Sequence, residues 1–416
     1  MAQARRPASS ETGDPLLLTP GPLTTSKAIK EAMVHDWGSR DATFVGINKA
    51  VLEELPKIIH GGEDFVTVPM QGSGTFAVEA MLTTFVPRDG KILVLINGAY
   101  GQRAKRILEI AGRAVAVHET AEDTPPDLAE VDRMLVADAG ITHIFTVHCE
   151  TTSGIRNPVE AIAALAKRHG RRLLVDSMSA FGALPLDSRE VYFDAVAASS
   201  NKCIQGVPGL GFVIARKSAL AETKDNATTL VLDLYDQNAG FERTGQYRFT
   251  PPIHVIVAFH AALQEFWAEG GVAGRGERYA ENARILIEGM EGLGFRTLLP
   301  AARQAPIIVT FHMPEDKNFV FQRFYDALKD AGYVIYPGKL TVADSFRIGC
   351  IGALGAQDMR AFVATPPDGF TSPATLLPVQ IFLWSDEIDR GFVERTSAAI
   401  IVLLMFLLVM NGLAIY

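Results

Sequence analysis

Residues 173–211 read LLVDSMSAFGALPLDSREVYFDAVAASSNKCIQGVPGLG and contain two short apolar runs, each of which ends in polar residues. The first run, 173–175, ends at Asp176, and the second, 195–198, leads through two serines and an asparagine to Lys202. Both runs are too short, and too closely flanked by turn residues, to be helices, so the pattern predicts buried strands. Open α/β sheets hold their ligands at the carboxyl edge of the strands, so we expect Asp176 and Lys202 to face one crevice.

An acid and a lysine in this arrangement suit pyridoxal 5'-phosphate. The lysine amine forms a Schiff base with the cofactor's aldehyde, and the carboxylate keeps the pyridine nitrogen protonated so that the ring draws electrons. The alternative is a surface lysine and an aspartate that caps a helix. The glycines that follow Lys202, at 206, 209 and 211, let the chain turn tightly back into the sheet and favour the cofactor site.

Length and composition bound the class of protein. The chain has 416 residues, enough for two domains and a large core. Its 39 basic and 47 acidic residues include no basic cluster, which argues against a nucleic-acid partner. The three cysteines lie far apart and the nine histidines lack ligand spacing, so we expect reduced thiols, no metal site and a cytoplasmic enzyme.

Strand and helix patterns alternate from about residue 65 to 215 and predict a doubly wound, mostly parallel sheet. We expect residues 1–15 to be a disordered leader, 16–270 to form the large domain and 271–364 to form a small α+β domain. Within the large domain, residues 211–215 are predicted to return antiparallel, and residues 230–252 to be mostly loop.

Polar side chains follow several predicted strands. Ser73, Gly74 and Thr75 lie in a glycine-rich turn before a helix, which suits a phosphate, although a simple capped helix is the alternative. Tyr100 is a candidate for stacking on a planar ring, or else a surface tyrosine. The hydroxyls of residues 151–153 suit the phenolic oxygen of the cofactor, or else cap the next helix.

Three further positions are candidates for substrate contacts. Arg347, on a late predicted strand, suits a carboxylate, although a single strand arginine is usually part of an ion pair. Arg40 suits an anionic substrate, but a salt bridge to a neighbouring aspartate is the favoured interpretation. Gly21, between two prolines, lies on an extended, bent path that either passes over the active site or merely connects.

Together these segments resemble the fold-type I pyridoxal phosphate enzymes of the class V aminotransferase group. The matching segments are collinear over roughly residues 15–364. They are TPGP at 19–22, WGSRD at 37–41, GSGT at 72–75, NGAYGQR at 97–103, HCETTSG at 148–154, VDSMSAFG at 175–182, SNKC at 200–203, YRFTPP at 247–252 and RIGCIG at 347–352.

The resemblance implies a role for each matching position. Lys202 is expected to be the Schiff-base lysine and proton shuttle, and Asp176 to hold the pyridinium proton. The cofactor phosphate is expected to be bound by Ser73, Gly74 and Thr75, together with Tyr247 and Thr250 from the other subunit of a homodimer. Tyr100 is expected to stack on the ring, and Thr151 or Thr152 to contact the phenolic oxygen. Arg347 is expected to bind the carboxylate of pyruvate.

Within the group, the chain most resembles the branch that transaminates 2-aminoethylphosphonate with pyruvate in phosphonate catabolism. The additional arginines Arg248 and Arg40 are what a dianionic phosphonate needs. The sister branch, alanine–glyoxylate and serine–pyruvate transaminases, shares most of these residues and stays open as the alternative.

The resemblance stops after residue 364. Residues 365–373 have linker composition, and 397–415 read SAAIIVLLMFLLVMNGLAI, uncharged and near the roughly 20 residues that a membrane-spanning helix needs. The segment before it resembles the end of a phosphate ABC-transporter permease subunit. A fusion or sequence-assembly error that joins two neighbouring reading frames is the favoured interpretation. A membrane-anchored transaminase and a membrane-associated transport or scaffold protein are the alternatives.

Overall fold

A computed structural model describes residues 7–316, 319–338, 340 and 343–365 of the chain. In chain order its strands are β1 (Leu16–Leu17), β2 (Phe65–Gln71), β3 (Lys91–Ile96), β4 (Ala114–Glu119), β5 (Ile141–Val147), β6 (Cys149–Glu150), β7 (Ile155–Arg156), β8 (Arg172–Asp176), β9 (Ala195–Ser199), β10 (Leu210–Arg216), β11 (Ile308–His312), β12 (Tyr333–Val334), β13 (Tyr336–Pro337) and β14 (Ser345–Gly349). Its helices are α1 (Lys27–Glu31), α2 (Ala42–Ile58), α3 (Gly74–Phe85), α4 (Ala99–Ile110), α5 (Leu128–Ala137), α6 (Val159–Arg168), α7 (Lys217–Ala221), α8 (Leu234–Thr244), α9 (Ile253–Ala268), α10 (Gly271–Gly292), α11 (Phe321–Asp330) and α12 (Ala356–Val363).

The central sheet has the strand order β2-β10-β9-β8-β5-β3-β4 within the described residues. The pairs from β9 to β4 are parallel, whereas β10 runs antiparallel to both of its neighbours, β2 and β9. Consequently β2 and β9 point the same way, and their carboxyl ends lie at the same edge as those of β3, β5 and β8.

Both faces of this sheet are covered, as a largely parallel sheet requires. Leu173 and Val175 of β8 belong to one buried cluster with side chains of α2, α6 and α9. Leu174, between them, belongs to a second cluster with side chains of α3 and α4. Alternation along a strand that is buried on both sides explains why the sequence reads as an uninterrupted apolar run.

The C-terminal unit contains a second, antiparallel sheet in the order β11-β14-β13, with α10, α11 and α12 around it. The short strand β1 pairs in parallel with β12, and Leu16 and Leu18 join the apolar core of this unit. The first residues after the leader therefore pack on the C-terminal unit.

The predicted fold class, a doubly wound and mostly parallel sheet with a smaller α+β unit, is confirmed, and β10 returns antiparallel as expected. The prediction of loop over residues 230–252 was wrong for 234–244, which form α8. Asp233 caps this helix by accepting from the Asp236 backbone N–H at 3.0 Å, and Gly245 ends it in the left-handed region at φ +67°. The cap and the glycine stop outweigh the poor apolar periodicity between them.

The leader and the tail also bear on the predictions. Residues 10–14 of the expected disordered leader form a turn, in which the Ser10 N–H donates to the Asp14 carbonyl at 2.8 Å, and Lys30 pairs with the Asp14 carboxylate at 2.6 Å. The linker and the predicted membrane-spanning helix at 397–415 lie outside the described residues. Within the part that the structure describes, no helix is both long and apolar enough to cross a bilayer.

Candidate active site

The predicted cofactor residues meet at the carboxyl edge of the central sheet. Asp176 is the last residue of β8, and Lys202 lies in the turn that follows the adjacent strand β9. The turns after β2, β3 and β5 reach the same edge and carry the other candidates, which are Ser73, Gly74, Thr75, Tyr100, Thr151 and Thr152. The sheet topology, rather than proximity in sequence, brings them together.

Lys202 is held by its own turn and by a distant segment. The Gln205 N–H donates to the Lys202 carbonyl at 2.8 Å, which closes the turn. The Lys202 Nζ donates to the Pro20 carbonyl at 2.8 Å. Gly21, at φ +126°, passes so close that a Cβ there would lie 2.6 Å from this Nζ. The structure thus places Gly21 directly against the lysine, where only glycine fits.

Asp176 is a buried carboxylate, 4% exposed. One oxygen accepts from the Met178 N–H at 2.9 Å. Burial raises the pKa of Asp176 to about 6, while this hydrogen bond and the charges of Arg103 and Lys202 favour the ionised form. Asp176 makes no ion pair with any residue that the structure describes, so a cationic partner in the crevice would stabilise its charge.

The turn between β2 and α3 has the geometry of an anion site. Gly72 adopts φ +120°, and Ser73 is the N-cap of α3 without a capping bond from its side chain. Gly74 lies against Met178, and a Cβ there would collide with the Met178 sulfur. The N–H groups that begin α3, with the hydroxyls of Ser73 and Thr75, suit a phosphate at this position.

Tyr100 lies in the first turn of α4 and has an arginine over its ring. The Arg103 guanidinium lies 4.8 Å from the Tyr100 ring centroid, and its Nη1 donates to Thr75 Oγ1 at 3.1 Å. Arg103 therefore joins the ring-stacking candidate to the anion site.

Arg347 reaches this edge from the C-terminal unit. It lies on β14 and is 2% exposed. Its Nη1 donates to the Thr151 carbonyl at 2.8 Å, and its Nε donates to the Pro337 carbonyl at 3.2 Å. Burial lowers the pKa of Arg347. Among the described residues Arg347 makes no ion pair, so a substrate carboxylate would meet a charge that carbonyl groups hold in place.

The two candidate threonines differ in their contacts. Thr152 Oγ1 donates to Glu150 Oε1 and accepts from the Ala99 N–H at 3.2 Å. Within the described residues, the Thr151 hydroxyl makes no hydrogen bond. Thr151 is therefore the better candidate for the phenolic oxygen of the cofactor.

The structure does not bring Arg40 and Arg248 to this cluster. Arg248 donates to Gln237 Oε1 at 3.1 Å and to the carbonyls of Leu230 and Asp233 at 3.0 and 3.1 Å. Arg40 is exposed before α2 and has no hydrogen bond or ion pair within the described ranges.

Tyr247 and Thr250 lie on the loop between α8 and α9, which reaches the end of β2 in the same chain. The Thr250 carbonyl accepts from Gln71 Nε2 at the end of β2. The Tyr247 Oη is buried and has no hydrogen-bond partner in the part of the chain described. Burial raises the pKa of Tyr247. The Tyr247 hydroxyl can therefore donate a hydrogen bond to a group that binds beside it.

Three residues at this edge of the sheet, Glu150, His148 and Arg103, received no individual role from the sequence. Glu150 is fully buried and accepts from the Tyr100 N–H at 3.1 Å. Burial lowers the pKa of His148 to about 4, and its Nδ1 lies 3.0 Å from Ser177 Oγ. Arg103 is the third. The sequence held two signals for these residues. Glu150 lies just after a strand end and just before two threonines, and Arg103 lies one helical turn after Tyr100.

Comparison with known proteins identifies relatives over most of the chain. The family profile described as "Aminotransferase class-V" matches residues 37–341. A 2-aminoethylphosphonate–pyruvate transaminase of Pseudomonas putida is 55% identical over 349 residues, which cover 84% of this chain and 95% of the relative. The protein of the same description from Pseudomonas aeruginosa is 52% identical over 350 residues, which cover 84% of this chain and 94% of that one.

Solved structures share the fold. Pyridoxamine–pyruvate aminotransferase from Mesorhizobium loti superposes with a TM-score of 0.79 at 23% identity, covering 94% of this chain and 98% of that one. An aspartate aminotransferase from Thermus thermophilus gives a TM-score of 0.75 at 23% identity, covering 84% of this chain and 99% of that one.

Proposed function

The chain belongs to the class V aminotransferase family, and from that premise we propose that it transfers the amino group of 2-aminoethylphosphonate to pyruvate. The products are phosphonoacetaldehyde and L-alanine, so an amino group and a carbonyl oxygen are exchanged between the two substrates. The observation that carries this proposal is the 55% identity to a relative of that description, over 95% of its length.

The cofactor of the family is pyridoxal 5'-phosphate, and the residues present fit it. When bound, it supplies an aldehyde that links to amines and a protonated ring that draws electrons from the neighbouring carbon. The turn at Ser73, Gly74 and Thr75 offers N–H groups and hydroxyls for its phosphate. The buried carboxylate of Asp176 suits the protonated ring nitrogen, because each charge offsets the cost of burying the other.

Lys202 carries the proton transfer. Its Nζ lies at the same sheet edge as Asp176, and the Pro20 carbonyl orients it. In the proposed reaction this Nζ takes the proton from the amino-bearing carbon of the donor and returns a proton to pyruvate's central carbon in the second half of the cycle. The close approach of Gly21 keeps the amine in a narrow space.

Arg347 orients the acceptor. Two carbonyl groups, from Thr151 and Pro337, fix its guanidinium. A fixed, planar guanidinium binds a carboxylate with two parallel hydrogen bonds, which aligns the keto carbon of pyruvate for the reaction.

A homodimer would complete the site. Exposed apolar side chains, Leu230, Val231 and Phe249, lie on or beside the loops that flank α8, and Phe76 lies exposed in the first turn of α3. A second copy packed on this surface would cover them. It would also bring Tyr247 and Thr250 to the phosphate of the neighbouring subunit, and Arg40 and Arg248 towards its substrate.

The direct test is product formation by the purified full chain. With 2-aminoethylphosphonate and pyruvate we expect L-alanine and phosphonoacetaldehyde in equal amounts. Alanine with glyoxylate, and serine with pyruvate, serve as competing substrate pairs. Turnover of either of these pairs, with none of 2-aminoethylphosphonate, would move the chain to the sister branch.

The phosphonate role of Arg248 has a separate test. Arg248→Ala is expected to raise the KM for 2-aminoethylphosphonate by about tenfold or more, the scale of one charge-assisted hydrogen bond. The KM for pyruvate should stay unchanged, because pyruvate carries no phosphonate. An unchanged KM for 2-aminoethylphosphonate would remove Arg248 from the site.

A further inference from the structure

Glu150 has no part in the proposed reaction, although it lies at the centre of the site. It ends the short strand β6, directly after the segment that leaves β5, and its side chain is fully buried. A buried carboxylate is costly unless hydrogen bonds satisfy it, so its partners show what it stabilises.

Both oxygens of Glu150 accept hydrogen bonds, and they do so from two different segments. Oε2 accepts from the Tyr100 N–H at 3.1 Å, in the first turn of α4. Oε1 accepts from the Thr152 N–H at 3.1 Å and also from the Thr152 hydroxyl. The Ala99 N–H in turn donates to Thr152 Oγ1 at 3.2 Å. One side chain thus joins the start of α4 to the hairpin after β5.

The glycine at residue 98 leaves space for the Glu150 side chain. A Cβ at residue 98 would collide with Cγ and Cδ of Glu150, so the glycine there is required for the contact. Gly98 and Glu150 lie on separate segments, so their contact depends on how the start of α4 packs against the hairpin after β5.

The charges around Glu150 act in opposite directions. The pKa of Glu150 is raised to about 7, mainly by burial and to a smaller degree by the negative charge of Asp176 on β8, against the bonds from Thr152 and Tyr100, which favour the carboxylate. Arg347 on β14 is close enough for the two charges to attract. Cys149, its chain neighbour, has a pKa raised to about 12 by burial and stays neutral.

We propose that Glu150 is a positioning residue, whose carboxylate fixes Tyr100 against the cofactor ring and holds Thr151 in place beside Arg347. An amide cannot replace it, since the NH2 group of a glutamine would face an N–H donor on one side. The inference rests on the proposed cofactor site, but it does not depend on which amine is the substrate.

Glu150→Gln tests this role, because it keeps the size of the side chain and removes one acceptor. In the cofactor-free full chain at pH 8, the Kd for pyridoxal 5'-phosphate should rise between about tenfold and a hundredfold, as expected for lost hydrogen bonds to a charged group. The circular dichroism of the bound cofactor in the visible range should fall, because a looser ring loses its asymmetric surroundings.

The pH dependence separates positioning by the carboxylate from a merely structural role. Below pH 7 the wild-type Glu150 gains a proton and loses the same acceptor, so the ratio of the two Kd values should fall towards one. A ratio that stays constant from pH 6 to pH 8 would show that protonation of Glu150 does not govern the difference, and the circular dichroism of Glu150→Gln at pH 8 then decides between the two roles.

Two further variants complete the experiment. Gly98→Ala keeps the carboxylate but displaces it, and should weaken cofactor binding in the same way. Asp194→Asn is the matched control, since Asp194 is also buried and accepts from the Leu173 N–H and from the Tyr192 hydroxyl, both at 2.9 Å, at the opposite edge of the sheet. It should lower the melting temperature and leave the Kd unchanged. Wild-type Kd and circular dichroism in Glu150→Gln would overturn the inference, whatever the outcome of the substrate assays.

Discussion

Asp176 and Lys202 illustrate how a sheet places two side chains that lie 26 residues apart in the sequence. Their strands, β8 and β9, are parallel neighbours, so both residues reach the same edge. Asp176 is costly to bury without its cofactor, because burial raises its pKa by more than the Met178 hydrogen bond and the charges of Arg103 and Lys202 lower it. The active site therefore stores a destabilising charge that the cofactor relieves.

Asp176→Asn is expected to stabilise the cofactor-free protein while it abolishes useful turnover. The folded-state pKa of Asp176 is raised from 3.8 to about 6, so this carboxylate reduces stability as pH rises through that window. At pH 8 the variant should gain roughly 1–3 kcal/mol, since each unit of pKa shift corresponds to about 1.4 kcal/mol. Urea unfolding of both cofactor-free proteins at pH 8 and pH 4 measures this. A gain that is equal at both pH values would contradict the explanation.

Lys202→Ala is expected to reduce kcat by at least about a thousandfold, because both the covalent attachment and the proton transfer are lost. Lys217→Ala is the matched control, since Lys217 is exposed at the start of α7. Its activity should equal that of the wild type. Steady-state assays of alanine formation compare the two. Substantial turnover by Lys202→Ala would remove the lysine from the mechanism.

At the scale of elements, strand ends were predictable and helix α8 was not. The apolar runs before Asp176 and Lys202 predicted β8 and β9 because strands buried on both faces leave a continuous signal. Helix α8 was missed because its sequence, LYDQNAGFERT, contains a glycine and an asparagine and little apolar periodicity. It depends on its Asp233 cap and its Gly245 stop, which are weaker signals.

Contacts between distant segments also could not be predicted from the sequence. The burial of Glu150 under α4, and the approach of Gly21 to Lys202, depend on how separate turns meet. The residue types at the site were predictable from position at strand ends, whereas their hydrogen bonds were not.

The β2–α3 turn yields a prediction at this scale. Gly74→Ala should weaken cofactor binding by about tenfold, because the added methyl group collides with Met178 and displaces the N–H groups of the anion site. The double variant Gly74→Ala/Met178→Ala should recover most of that loss, since the collision is removed. Equilibrium binding of pyridoxal 5'-phosphate to the wild type, Gly74→Ala, Met178→Ala and the double variant completes the double-mutant cycle. No recovery would mean that the glycine acts through its backbone alone.

At the scale of the whole molecule, the C-terminal unit is tied to the lysine turn. Arg275 of α10 donates to the Cys203 carbonyl at 2.5 Å, and Gln205 bonds to the Gly352 carbonyl at 2.6 Å. The same unit carries Arg347. The domain division stays a prediction, but these bonds explain how a residue from the C-terminal unit is held at the edge of the central sheet.

The proposed homodimer predicts complementation between two inactive proteins. Lys202→Ala and the double variant Tyr247→Phe/Thr250→Ala are each expected to have low activity at limiting cofactor. If the loop serves the neighbouring subunit, random exchange of subunits restores about a quarter of the sites, since half of the dimers are mixed and each has one intact site. No gain after exchange, with mixed dimers verified by mass spectrometry, would place the loop in its own subunit's site.

The half-reaction of the purified full chain tests the central claim most directly. The protein is loaded with pyridoxal 5'-phosphate, 2-aminoethylphosphonate is added without pyruvate, and the visible absorbance of the lysine-bound cofactor is followed. We expect this band to convert to that of pyridoxamine phosphate, with no conversion by serine at the same concentration. Conversion by serine or alanine alone would keep the fold and the roles of Lys202 and Asp176 but contradict the proposed substrate. Absence of any lysine-bound absorbance band would contradict the cofactor site itself.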